Sequence, residues 1–290
     1  MASKYHVRSI SLPSTSHPST VRVEEELNKL RTWEATSTST STSTSASICN
    51  ALSALEELYR CLDDLLNMTS TQQVVSCNQQ DKCVEELLDG SVRILDICGI
   101  TRDTLLQIRE HVQDLQSALR RRKGDSSIQS KVAEYRSFRK NMKKTSKKLI
   151  ITLKQMENKF GVSPVLDQDH HLSAVIRVLR EVTTMNISIF QSLLSFLAVP
   201  VSMPKAKKWS LITNLMHKGV IASEENPEDL SELHSVDAAL CSLGKYATNE
   251  AAHERLEDLE VTIRSLENSL ECVFRRLIKS RACLLNMISQ

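Results

Sequence analysis

Apolar residues recur along this chain at alternating steps of four and three, the spacing of one face of a helix. Ile48, Leu52, Leu55, Tyr59, Leu62 and Leu66 form one such stripe, with Ser45 or Ser47 placed to cap its start. A second runs Val84, Leu87, Ser91, Ile94, Cys98, Thr101, Leu105, Ile108, Val112, Leu115 and Leu119. It crosses Gly90 and Gly99, so the spacing predicts one long helix with a bend near Gly99. Ile128, Val132, Tyr135, Met142, Leu149, Leu153, Met156 and Phe160 make a third stripe, closed by Gly161 and Pro164. Leu172, Val175, Val178, Val182, Met185, Ile189, Ser192, Phe196 and Val199 make a fourth, closed by Pro200. A short amphipathic helix is predicted over 205–218, carrying Trp209. The last stripe is the most regular: Ala252, Leu256, Leu259, Ile263, Leu266, Leu270, Val273, Leu277, Ser280, Leu284 and Met287 keep a heptad seam.

Long helices joined by short links favour antiparallel neighbours. The predicted fold is all-α: an elongated antiparallel helical bundle of long helices with a C-terminal coiled-coil-like helix. Residues 48–290 are read as the bundle domain. Residues 1–47 are read as a disordered N-terminal tail containing a short helix over 21–34, with Val23, Leu27 and Leu30 on one face and Trp33 near its end. The tract TSTSTSTSTSAS at 36–47 has no apolar face and reads as a flexible linker. The C-terminal heptads leave open whether they pair within the chain or build a homo-oligomer.

Composition sharpens this picture. The 290 residues include only 6 Gly and 6 Pro, and aromatics are 4%. So few glycines leave no room for a phosphate-cradling loop, and there is no H-E-x-x-H or G-x-S-x-G. Glu250-x-x-His253 matches half of a di-iron pattern, and Asp167-x-x-His170 is a poor second half. No catalytic residue, cofactor or metal ligand is therefore assigned, and the chain reads as non-enzymatic. None of the eight cysteines forms a C-x-x-C pair, so zinc-site spacing is absent; no apolar signal segment opens the sequence, so they read as small buried hydrophobes in a reducing, cytoplasmic setting. Glu24, Glu25 and Glu26 speak against a plastid transit peptide.

The formal net charge is only +2, but it is unevenly placed. Residues 120–159 carry fourteen Lys/Arg against three acids, while residues 224–271 carry thirteen acids against three bases. Internal pairing of a basic helix with acidic neighbours is the first expectation. A face for an anionic partner is the second, built from Arg136, Arg139, Lys140, Lys143, Lys144, Lys147 and Lys148. Nucleic acid is not expected, because few aromatics interleave this helix. Residues 182–204 carry no charge, and their apolar positions keep a helical period, which suits a core helix. The alternative is a peripheral membrane-associated protein that uses this apolar segment together with the basic helix. Near the start, Arg8-Ser9-Ile10-Ser11-Leu12-Pro13 reads R-S-x-S-x-P. With Ser11 phosphorylated, Arg8, Ser11 and Pro13 form the arrangement that 14-3-3 proteins bind.

Three stretches carry a family resemblance: MASKYHVRSISLPSTSHPSTVRVEEELNKLRTWEA, EELLDGSVRILDICGITRD and FQSLLSFLAVP. The chain resembles a plant-specific all-helical family related to the BYPASS proteins. The resemblance covers nearly the whole chain and departs from the family pattern in the Ser/Thr run at 36–47. It implies an adaptor or regulatory protein of land plants, acting in root and shoot development, with no catalytic residues to carry over.

Overall fold

The computed structural model describes residues 18–39, 44–78, 81–121, 125–160, 170–199, 231–243 and 249–289. Among these residues there are eight helices and no strand. They are α1 (Pro18–Ser39), α2 (Ser45–Leu66), α3 (Thr69–Cys77), α4 (Lys82–Arg120), α5 (Asp125–Phe160), α6 (His170–Leu197), α7 (Glu232–Ser242) and α8 (Asn249–Ile288). The helix expected over 205–218 lies outside the described residues.

Helix starts follow local chemistry. Thr44, rather than Ser45 or Ser47, caps α2 by accepting the Ser47 N–H at 3.2 Å. Asp81 accepts the Cys83 N–H at 2.7 Å at the start of α4, which satisfies an otherwise orphaned donor. Helix α4 runs unbroken through Gly90 and Gly99. A Cβ added at Gly99 would meet nothing within 4 Å. Gly99→Ala is therefore expected to raise stability by about 0.5–1 kcal/mol. Denaturant unfolding should show a higher midpoint at an unchanged slope; a lower midpoint would contradict the open space there.

Four helices form the core in the cyclic order α2, α8, α4, α6, each packed on the next. Residue pairings give their directions. Arg102 pairs with Glu271, Arg109 with Glu267 and Arg120 with Glu257, so α4 and α8 are antiparallel. Cys49 meets Ser265, Asp63 meets Lys279 and Asn67 meets Cys283, so α2 and α8 run parallel. The antiparallel expectation thus holds for α4 against α8 and for the consecutive pairs α1–α2, α4–α5 and α5–α6. It fails for α2 against α8, because amphipathic stripes carry no direction.

All eleven seam residues of α8, from Ala252 to Met287, are buried inside the single chain, where α8 packs chiefly on α4 and α2. Helix α6 is the most enclosed, touching α1 through α5. That is why Ile187, Phe190, Leu193, Leu194 and Leu197 are buried in addition to its expected stripe, of which only Ser192 and Val199 are half-buried. The charge-free segment is a core helix as far as it is described; residues 200–204 lie outside the described residues. No helix among the described residues is long and apolar enough to cross a membrane.

The N-terminal helix is longer than expected and belongs to the packed body. Val23, Leu27 and Leu30 are fully buried, and α1 packs on α2 and α6. The Trp33 indole N–H donates to Ser47 Oγ at 2.9 Å. Arg22 pairs with Asp64 and Arg31 with Glu181. Residues 36–39 of the Ser/Thr tract continue the helix, so the chain between α1 and α2 is shorter than the predicted linker.

Candidate functional site

Helix α5 holds the basic residues singled out above, and it is peripheral. One of its faces packs on α4 and α6. Its predicted stripe stepped by seven from Tyr135 to Met142 and again from Met142 to Leu149. The positions that complete the four-three alternation are Arg139 and Ser146, and both are buried. Arg139 is the largest fully buried side chain of the described residues.

The Arg139 guanidinium joins three helices. Its Nε donates to Asp237 Oδ1 at 3.3 Å and its Nη2 to Asp237 Oδ2 at 2.9 Å, a forked pair onto α7. Nη1 donates to the Leu197 carbonyl at 3.3 Å and Nη2 to that of Val199 at 3.5 Å. These carbonyls lie at and just beyond the C-terminus of α6, where acceptors lack helical partners and the dipole is negative. Arg136 does the same for α7: its Nη2 donates to the Leu240 carbonyl at 3.3 Å and to Cys241 Sγ at 3.2 Å. Tyr135 is buried beside the pair, and burial raises its phenol pKa. The His111 ring of α4 packs 4.5 Å from Phe138, centroid to centroid.

The expected anionic-partner face is therefore corrected at two positions. Arg139 points into the core and Arg136 is half-buried; both hold helix ends together. The partner missed in the sequence was Asp237, and the usable signal was the pair of gaps in the α5 stripe. Lys140, Lys144, Lys147 and Lys148 are exposed and Lys143 is half-buried. Lys154, also exposed, extends the same face. None of these six ammonium groups makes an ion pair or hydrogen bond with another of the described residues. Internal pairing accounts for other bases: Arg102, Arg109, Arg264, Arg275 and Arg276 all meet carboxylates. The acidic α8 pairs chiefly with α4 and α2, not with the lysines of α5.

The remaining sequence candidates are placed as follows. Arg8, Ser11 and Pro13 lie outside the described residues. His253 faces α4, within 3.2 Å of Arg120 Nε and 3.4 Å of Glu257, in a surface network. Asp167 lies outside the described residues, and no group of His, Cys, Asp or Glu among the described residues could hold a metal ion. All eight cysteines are free thiols. Cys61, Cys83 and Cys98 are buried as expected, whereas Cys77 and Cys272 are exposed. Burial pushes the Cys98 thiol up to about 12, which removes its thiolate at neutral pH.

Compared with known proteins, residues 51–287 match the family model described as Protein BPS1. No curated protein and no solved structure matches the chain.

Proposed function

This chain belongs to the BPS1 family, and on that premise we propose that it is a non-enzymatic helical adaptor acting in plant root and shoot development. Family membership supports a regulatory protein of plant development, and the match over residues 51–287 is the observation that carries the reading. The polar chemistry of the described residues supports it too. Buried charges such as Arg139 and Asp237 are engaged in holding helices together. What the described body offers to other molecules is its surface.

Control of the adaptor is assigned to the N-terminal segment. Phosphorylation of Ser11 adds a doubly charged group three residues after Arg8 and two before Pro13. A 14-3-3 protein recognises that group through its arginine cluster.

Two measurements test the proposal. Proximity labelling in root cells is expected to recover a reproducible set of protein partners; labelling no different from that of the free labelling enzyme would overturn the adaptor role. Phosphorylated full-length protein is expected to capture 14-3-3, and Ser11→Ala to lose at least about tenfold in affinity, the loss of one strong charge-assisted contact. Equal capture by both proteins would sink the switch.

A further inference from the structure

The outward face of α5 combines four observations. First, Lys140, Lys143, Lys144, Lys147, Lys148 and Lys154 share one side of the helix, opposite the stripe that packs on α4 and α6. From Lys140 to Lys154 they span about 21 Å at 1.5 Å per residue. Second, none has a counter-charge among the described residues. Along α5 the nearest carboxylates are engaged elsewhere: Glu134 meets Lys131 at 2.9 Å, and Glu157 accepts from Gln191 at 3.3 Å. Third, Ile151, 57% exposed, stands on the same side of the helix between Lys148 and Lys154. Fourth, the arginines of this helix are turned inward, so the exposed cations are all lysine.

We propose that this face docks on an anionic lipid surface. Like charges held together repel one another, and an external anion relieves that repulsion. The chemistry of the face selects among anions. Lysine is a flexible, strongly hydrated point charge, suited to a diffuse field rather than to forked recognition. An acidic peptide would favour arginine forks or a groove, and RNA would favour stacking aromatics. A bilayer asks only for a row of positive charges within a Debye length of its headgroups. Ile151, between Lys148 and Lys154, adds an apolar contact with the interface. Among the described residues no helix is free to insert: the apolar residues of α6 are buried in the bundle. The surface stands independently of the adaptor reading, because its test needs no protein partner.

The test uses full-length protein and vesicles of equal parts phosphatidylcholine and phosphatidylserine, with phosphatidylcholine vesicles as reference. The protein is expected to co-sediment with the mixed vesicles at low salt and to be released as salt rises. The variant Lys140→Gln/Lys144→Gln/Lys147→Gln/Lys148→Gln is expected to lose at least about a hundredfold in partition, at about fivefold for each lysine. Because these lysines are unpaired and repel one another, its melting midpoint should be no lower than the parent's. The corresponding Lys→Arg variant should bind as the parent does, since charge alone is read. A control with Arg60, Arg255, Arg264 and Arg275 changed to Gln removes the same charge from other faces and should retain partition within about fivefold. Equal loss in that control would reduce the effect to net charge and overturn the proposal. So would no binding to the mixed vesicles, or tighter binding to polyglutamate or polyuridylate than to them.

Discussion

Arg139→Met is expected to destabilise the protein by about 3–5 kcal/mol, although arginine-to-methionine keeps most of the side-chain volume. The loss comes from what is left behind. Asp237, whose side chain is 1% exposed, would keep a buried charge with no cation opposite it. The Leu197 and Val199 carbonyls would lose their donor at the end of α6. Urea unfolding measures the change directly. A second variant separates the pair from its surroundings: Arg139→Met/Asp237→Leu removes both charges and should recover most of the lost stability, since a buried ion pair is often no better than an apolar pair. A loss below about 1 kcal/mol in the single variant would mean that the pair is hydrated rather than buried.

The second large effect lies in the charge-free helix. Phe190→Ala is expected to cost about 3–5 kcal/mol, the usual range for deleting a fully enclosed aromatic side chain. Phe190 is fully buried on α6, the helix that touches five others. The same substitution in a lipid-inserting anchor would leave the unfolding midpoint of the free protein unchanged and weaken vesicle binding instead. Ile151→Ala is the matched contrast: it is exposed, and its removal should change stability by less than about 0.5 kcal/mol. Unfolding curves of the two variants thus tell a core helix from an exposed one.

Much of this was legible in the chain. The heptad stripe of α8 is buried at every position read from the spacing, because a seam of this length permits only one helical face. The stripes of α2 and α4 are likewise buried, apart from the half-buried Ser91. Helix α1 was underread: Val23, Leu27 and Leu30 fill one short face, and a three-residue stripe does not announce that two other helices cover it. On α5 the lysines were legible as a basic face, but two of its arginines were misassigned. Arg139 stands beside Lys140 in sequence, yet one residue step turns a helix by about 100°. That step carries one cation into the core and leaves its neighbour outside.

The sequence by itself determined the long helices, their buried faces and the concentration of positive charge on α5, but not the short helices α3 and α7. The features it determined depend on spacing within a few turns, which is local. The tertiary structure alone decided direction and partnership: that α2 and α8 run parallel, that α6 is enclosed, and that Arg139 meets a carboxylate 98 residues away. A burial pattern names the side of a helix that must leave water. It does not name what will cover that side, because apolar contact is non-directional. Whether a cation at a seam position can be buried depends on an anion that only the folded chain brings to it.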